Sequence, residues 1–385
     1  MHAERIAVQP FRIQAAEAAL VDLQTRLRAA RWPDGETAGD WSQGVPIAYL
    51  RELVDYWANR YDWRAREVRL NQFTQCRIEV GSLRIHCYHV RSQHRDAVPL
   101  LMTHGWPGSV VEFIKVFEPL TAPERFGGEA RDAFHVICPS LPGYGFSDKP
   151  RETGCGIEKI ALMWDELMQQ LGYGEYFAQG GDWGGAVTTQ IAVQNRGHCR
   201  GIHLNMPIAM PTAEALANPG PADKKAFALR KRYASMEAGY SEQQSTRPQT
   251  LGYALADSAV GQCAWIIEKF HAWTDCDGTP ESAISRDELL DNVMLYWLNG
   301  AGASSARLYW ESFKKGFGSD LAKVTLPTGC SIFAKELSQP PRSWVEQRYT
   351  QLVYWNEVAK GGHFAAFEQP DLFVTELRNC FRRMR

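Results

Sequence analysis

A single acidic residue, Asp182, stands between paired glycines in the octapeptide AQGGDWGG, residues 178–185. A short apolar run precedes this octapeptide, and a run typical of a helix follows it. Strand, sharp turn and helix in this order form the layout of a nucleophile elbow, where small residues permit a strained turn that exposes the central side chain. A carboxylate at the apex favours attack on an sp3 carbon, which gives an alkyl ester, over acyl transfer. The alternative is an ordinary loop in which Asp182 caps the helix.

An ester on Asp182 would need a base that activates water, and the base would need an orienting acid. Of the ten histidines, His363 is the best placed, because it follows the last predicted strand in the loop Lys360–Phe364. A structural histidine in that loop is the alternative. Four other histidines fall within strand patterns, where packing is the expected role: His86, His89, His135 and His203.

The orienting acid is expected just after the strand that precedes the histidine loop. Glu336 stands there, at the end of the run FAKE, residues 333–336. A solvated surface charge is the alternative for a lone glutamate. Glu357 and Glu346 are weaker candidates, since Glu357 is too close to the histidine loop and Glu346 falls in a helical stretch.

Two backbone N–H groups should stabilise the oxyanion that forms when water attacks the ester. One belongs to Trp183, the residue after the nucleophile, and the other to Trp106, in the loop that follows an earlier strand. Pro107 would stiffen that loop, and Gly105 permits unusual backbone angles. An ordinary tight turn is the alternative for this loop, and His104 is expected to be structural.

The elements that must position these residues follow an α/β pattern from about residue 99 onward. Strands alternating with helices indicate a mostly parallel sheet, and each glycine-rich loop follows a strand, at the edge where such sheets place their sites. The predicted strands are residues 100–103, 134–138, 175–177, 201–205, 329–333 and 351–355.

Four segments divide the chain into a core with two additions. Residues 1–91 form a lead segment that wraps the core, with helices at 15–30 and 48–57 and a hairpin that turns at Gly81–Ser82. The α/β core comprises residues 92–209 and 326–385. Residues 210–325 are predicted to be an inserted helical cap, because the region is long for a crossover and rich in aromatic residues.

Composition excludes several classes of protein. The chain has 385 residues, of which 45% are hydrophobic and 22% charged, as in a soluble globular protein, and a net charge of -2 gives no case for nucleic acid. Nine cysteines without a C-x-x-C pair indicate reduced thiols and a cytoplasmic location. Residues 1–5 lack an apolar signal core, and no apolar run is long enough for a membrane span. We expect no metal and no cofactor, and a homodimer is left open.

Five motifs together resemble the epoxide hydrolases of the α/β-hydrolase superfamily. The resemblance is to the microsomal and juvenile-hormone type, which has an N-terminal lead domain, and it covers nearly the whole chain. The motifs are RWP at 31–33, HGWPG at 104–108, GGDWG at 180–184, STRP at 245–248 and GGHFAA at 361–366.

The resemblance implies an α/β-hydrolase fold with Asp182 as nucleophile, His363 as base and Glu336 as its acid. It also implies that two cap tyrosines, Tyr240 and Tyr309, polarise the epoxide oxygen and bind the substrate together with Trp106 and Trp183. Microsomal members carry an N-terminal anchor helix, whereas this chain starts without one, so we expect a soluble enzyme. The aromatic cap favours a hydrophobic substrate.

Two other functions stay open at this point. A haloalkane dehalogenase uses the same aspartate nucleophile, and Trp183 does not discriminate between the two. A non-catalytic ligand-binding protein on the same fold is the second alternative, which an intact nucleophile, base and acid argue against. The identity of the epoxide, the regio- and enantiopreference, and a role in detoxification or in natural-product biosynthesis are not decided by the sequence.

Overall fold

The computed structural model of the chain describes residues 8–313 and 322–385. Residues 1–7 and 314–321, which belong to the predicted lead segment and cap, lie outside the described residues. The strands are β1 (Gln9–Phe11), β2 (Gln75–Val80), β3 (Leu83–Val90), β4 (Val98–Thr103), β5 (Phe134–Pro139), β6 (Tyr176–Gly180), β7 (Cys199–Leu204), β8 (Thr328–Phe333) and β9 (Leu352–Val358).

Helices make up most of the remaining described chain. The α-helices are α1 (Glu17–Arg28), α2 (Ile47–Asn59), α3 (Trp63–Leu70), α4 (Ile114–Thr121), α5 (Ile157–Gln170), α6 (Asp182–Gln194), α7 (Ala213–Ala217), α8 (Pro221–Arg232), α9 (Gly239–Thr246), α10 (Pro248–Asp257), α11 (Ala259–Trp273), α12 (Arg286–Trp297), α13 (Ala301–Phe313), α14 (Arg342–Arg348), α15 (Ala365–Glu368) and α16 (Pro370–Phe381). Short 3-10 turns include Val110–Phe113, and Tyr233–Glu237 is a π-helical turn.

All nine strands join one sheet in the order β1-β2-β3-β5-β4-β6-β7-β8-β9. Strands β4 to β9 pair in parallel, whereas β1, β2 and β3 add an antiparallel edge that joins β5. The predicted hairpin is confirmed, since β2 and β3 pair around Gly81–Ser82. The strands of the predicted lead segment therefore belong to the central sheet, and the domain boundaries stay a prediction.

The central strands are short apolar runs because both faces of the sheet are covered. Every residue of β6 and of β8 is buried. Strands that are buried on both faces have near-continuous apolar sequences rather than an alternating pattern. This burial explains why the sequence predicts their positions, and it fixes the loops after β6 and β8 at one edge of the sheet.

The helical region between β7 and β8 is fastened to the lead segment by a buried acid on α12. Arg66 Nη2 lies 2.6 Å from Asp291 Oδ2, and the Tyr61 hydroxyl donates to Asp291 Oδ1 at 2.8 Å. The Asp291 side chain is almost fully buried, so these partners offset the cost of removing its charge from water. The lead segment thereby fixes the position of α12.

All nine cysteines are free thiols, and eight of them are buried. This agrees with the expected reduced state. Among the helices of residues 8–313 and 322–385, none combines the length and the apolar character that crossing a bilayer requires.

Candidate active site

Asp182 lies at a strained turn between β6 and α6. Its φ angle is +50°, in the left-handed region that residues other than glycine rarely adopt. A Cβ atom on Gly180 would lie 2.1 Å from the Gly184 carbonyl oxygen, and a Cβ atom on Gly184 would lie 1.8 Å from that of Thr103. Only glycine fits at these two positions, so the flanking glycines permit the turn that presents the Asp182 side chain.

The Asp182 carboxylate is bound by a backbone N–H from the loop after β4. The Trp106 N–H donates to Asp182 Oδ1 at 2.8 Å. The N-cap position of α6 is taken by Gly181, so the alternative in which Asp182 caps the helix is wrong. A Cβ atom on Gly105 would lie 2.2 Å from Asp182 Oδ1, which explains why a glycine precedes Trp106.

Helix α12 holds this loop in place from the other side. The Asn292 side chain donates to the Pro107 carbonyl at 2.8 Å, and the Tyr296 hydroxyl donates to the Gly108 carbonyl at 2.7 Å. Both bonds are buried, where a hydrogen bond is worth more than in water. Both ring nitrogens of His104 contact the backbone: its Nδ1 lies 2.9 Å from the Gly105 carbonyl oxygen, and its Nε2 accepts the Leu141 N–H at 3.1 Å.

His363 lies between Asp182 and Glu336. Its Nε2 is 3.4 Å from Asp182 Oδ2, and its Nδ1 is 2.7 Å from Glu336 Oε1. The histidine and the glutamate are both buried, so the alternative of a solvated surface charge for Glu336 is wrong. The loops after β6, β8 and β9 thus bring together the three residues that the sequence predicts, because the carboxyl ends of parallel strands share one edge of the sheet.

Opposing effects set the protonation of His363. Burial alone would lower the pKa of its imidazole, but the charge of Glu336 and the hydrogen bonds to Asp182 and Glu336 outweigh burial and hold the pKa well above the usual 6.5. A carboxylate, a histidine beside it and a second carboxylate behind the histidine can form an ester and then activate water to cleave it.

The two predicted tyrosines lie next to the tryptophans of the turn and the loop. The Trp106 ring stacks on Tyr240 on α9, with centroids 4.7 Å apart, and the Trp183 ring meets Tyr309 on α13 edge-on at the same distance. The Tyr240 hydroxyl is 3.0 Å from that of Tyr233. The Tyr309 hydroxyl is buried and makes no hydrogen bond of good geometry to any described residue. Tyr240 is its neighbour, with ring centroids 5.7 Å apart and an interaction between the two hydroxyls. The two hydroxyls therefore lie together, where both can donate to one ligand oxygen.

The sequence does not predict the role of Glu368, which fixes the histidine loop. Its Oε2 accepts the N–H groups of Gly362 at 2.9 Å and Asp275 at 2.7 Å, and its Oε1 accepts that of Phe364 at 2.9 Å. The carboxylate thus holds both neighbours of His363 and ties them to the end of α11. A lone acid in the apolar run 364–368 is the signal that would have indicated a buried role.

Replacing Glu368 by Gln should lower the free energy of unfolding by about 1–3 kcal/mol, because the new amide group would face the Phe364 N–H and leave a buried donor unpaired. Urea unfolding followed by circular dichroism measures this change. The matched control is Glu346→Gln on the exposed face of α14, for which a change of no more than about 0.5 kcal/mol is expected. Equal effects of the two substitutions would contradict the role of Glu368.

Comparisons with protein families match two segments of the chain. Residues 8–113 match the model described as epoxide hydrolase N terminus, and residues 98–245 match the model described as alpha/beta hydrolase fold. A putative epoxide hydrolase from Stigmatella aurantiaca is 53% identical over 378 residues, covering 98% of this chain and 86% of the relative. Epoxide hydrolase 1 from Sus scrofa is 36% identical over 403 residues, covering 98% and 89%.

Solved structures are similar over the same extent. The juvenile hormone epoxide hydrolase from Bombyx mori superposes with a TM-score of 0.92 at 32% identity, covering 99% of this chain and 95% of that one. The epoxide hydrolase from Aspergillus niger gives a TM-score of 0.88 at 32% identity, covering 99% and 97%. The predicted α/β-hydrolase fold and the resemblance stated from the sequence motifs are confirmed by these comparisons.

Proposed function

Because this chain belongs to the epoxide hydrolase family, we propose that it converts a hydrophobic epoxide to a vicinal diol through an ester on Asp182. The observation that carries this proposal is the line of contacts from Asp182 through His363 to Glu336, beside the buried hydroxyl of Tyr309. Asp182 provides the nucleophile and His363 the base. The Tyr309 hydroxyl provides an acid for the ring oxygen of the epoxide.

In the first step the Asp182 carboxylate attacks an epoxide carbon. A bond forms between a carboxylate oxygen and that carbon, and the bond from the carbon to the ring oxygen breaks. An alkoxide is a poor leaving group, so Tyr240 and Tyr309 donate hydrogen bonds to it. Their placement supports this role. Tyr309 packs on Trp183, the residue after the nucleophile, and Tyr240 packs on Trp106, whose N–H binds the Asp182 carboxylate.

In the second step His363 takes a proton from water, which attacks the carbonyl carbon of the ester. Glu336 orients the imidazole through Nδ1, and the N–H groups of Trp106 and Trp183 stabilise the oxyanion. Removing one such donor typically lowers the rate by about 10²–10³-fold. Collapse of the tetrahedral intermediate breaks the bond to the alkyl oxygen, and the diol leaves.

The tyrosine pair favours an epoxide over a haloalkane as the substrate. A departing alkoxide needs a proton donor, whereas a halide is stable as an anion and does not. The buried line of nucleophile, base and acid supports an enzyme over a non-catalytic binding protein on the same fold, because binding alone requires none of the three.

A substrate panel tests the proposal. Purified protein is incubated with styrene-type, aliphatic and trans-disubstituted epoxides, with a 1-haloalkane as the control. We expect diol from the epoxides, with the highest kcat/KM for an aryl epoxide, because aromatic rings surround Asp182. Halide release without diol formation would reverse the assignment in favour of a dehalogenase.

The cytoplasmic location and the homodimer also stay predictions. Nine free cysteines support a reducing compartment. Fractionation of the cells that make the protein would test the location, and size-exclusion chromatography with light scattering would test the dimer.

A further inference from the structure

We propose that Glu112 binds the water that hydrolyses the Asp182 ester: a carboxyl oxygen of Glu112 accepts one hydrogen of this water while His363 removes the other as a proton. Glu112 lies in the 3-10 turn Val110–Phe113, just after the loop that carries Trp106. This inference rests on the proposed function and adds to it a residue that positions the second reactant.

A small cavity beside the nucleophile has room for this water. Its volume is about 20 Å³, and Asp182, His363 and Glu112 all line it. A water molecule needs roughly 10–15 Å³ by this measure and two to four polar partners. The cavity therefore fits a single water that contacts the ester, the base and the Glu112 carboxyl group.

The Glu112 side chain is buried in the wall of this cavity. It is 8% exposed. The Ser109 backbone N–H interacts with the carboxyl group, but Oε1 has no partner of good hydrogen-bond geometry within the described ranges of the chain. A Cβ atom at residue 108 would lie 1.5 Å from Glu112 Oε1, so Gly108 is the residue that makes room for the carboxyl group. A buried carboxyl oxygen without a partner is costly, and a bound water would satisfy it.

Apart from the reacting residues, the other polar side chains that line the cavity, Thr103, His104 and Asn205, already have hydrogen-bond partners. The Thr103 hydroxyl accepts an indole N–H at 3.1 Å, and both ring nitrogens of His104 are hydrogen-bonded to the backbone. Asn205 Oδ1 accepts the Gln179 amide at 3.0 Å, which leaves its N–H groups as donors. Thr103 and Asn205 thus already accept one hydrogen bond each, whereas Glu112 Oε1 accepts none of good geometry and can serve as the second acceptor for a water that His363 holds.

Two acceptors orient a water for attack. When its hydrogens point to His363 Nε2 and to Glu112, an oxygen lone pair is left to face the carbonyl carbon of the ester. One water proton goes to His363, and the new C–O bond takes the oxygen. The proton on His363 passes to the alkyl oxygen when its bond to the carbonyl carbon breaks. The second hydrogen of the water, left on the freed Asp182 carboxyl group, then passes to His363, so protons and bonds balance without a further reactant.

Burial keeps Glu112 from competing with His363 as the base. Burial raises the pKa of Glu112 to about 8, and the charge of His363 opposes this effect only in part. At pH 7 the carboxyl group is therefore mostly neutral. Its carbonyl oxygen accepts a hydrogen bond from water but has little affinity for the proton.

Single-turnover kinetics of two variants test the proposal. Wild-type protein, Glu112→Leu and Glu112→Gln are mixed with styrene oxide, and ester formation and decay are followed by quenched-flow intact-protein mass spectrometry. In Glu112→Leu we expect an unchanged rate of ester formation and ester hydrolysis slower by on the order of 10–100-fold, because the water loses its orientation. Glu112→Gln keeps a carbonyl acceptor of the same size and should recover most of the rate.

The matched control is Glu118→Leu, a partly exposed glutamate on the neighbouring helix α4, for which both steps should proceed at the wild-type rate. Wild-type hydrolysis of the ester in Glu112→Leu would overturn the proposal. An equal slowing of both steps, without recovery in Glu112→Gln, would show a structural role and would also overturn it. A wild-type protein that forms no ester and no diol would instead overturn the proposed function, on which the inference rests.

Discussion

Replacing Asp182 by Asn should lower kcat for diol formation by about 10⁴–10⁶-fold, because an amide oxygen is too weak a nucleophile to open the epoxide. The amide is nearly the same size and keeps an oxygen for the Trp106 N–H, so the turn and the fold should persist. Diol formation is measured at early times by chromatography. The circular dichroism spectrum of the variant should match that of the wild-type protein.

Slow deamidation would regenerate the aspartate, so each activity measurement is paired with the intact mass of the variant. A gain of activity that follows the regenerated fraction supports the assignment. Wild-type turnover at early times, while the mass spectrum of the Asp182→Asn variant still shows the introduced amide intact, would show that another group attacks the epoxide.

Replacing His363 by Gln should separate the two chemical steps. Asp182 and the tyrosines remain, so the ester still forms, whereas ester hydrolysis should slow by about 10²–10⁴-fold without the general base. The protein is mixed with excess epoxide, and its intact mass should rise by the mass of one substrate molecule. Peptide mapping should place the adduct on Asp182.

The matched control is His94→Gln, a partly exposed histidine that pairs with Glu124 on the surface and should leave turnover unchanged. A His363→Gln variant that loses turnover without any adduct would show that His363 acts before or during ester formation. Retained turnover would contradict its role as the base.

The parts of the fold that depend on local sequence are predicted well. The apolar runs that give β4 to β8 mark strands that are largely buried, and the glycines around Asp182 mark a turn with tight backbone contacts. The order of the strands is a property of distant pairing and has no local signal. The three-residue strand β1 is also too short to produce a pattern.

In the site, too, residues marked by a local sequence pattern are predictable, whereas residues brought there only by folding are not. His363 and Glu336 are predictable because each follows a strand, and parallel strands end at one edge of the sheet. Tyr240 and Tyr309 have no distinguishing pattern and enter through the resemblance alone. Glu112 and Glu368 are lone acids in apolar runs, and only the folded chain shows that both are buried beside the histidine.

The line of contacts from Asp182 through His363 to Glu336 couples the charge on Asp182 to the protonation of His363 in the proposed reaction. In the free protein two acidic groups favour the imidazolium, so His363 holds a proton until substrate reaches Asp182. Esterification cancels the charge on Asp182 and leaves the imidazole with one anionic neighbour. Its proton affinity then falls, because one of the two neighbouring negative charges has gone while burial persists. Its proton is then free to replace the one that the tyrosines give to the ring oxygen. Ester formation on Asp182 thus converts His363 into the base that ester hydrolysis needs. This coupling sets the order of the two steps without any movement of the chain.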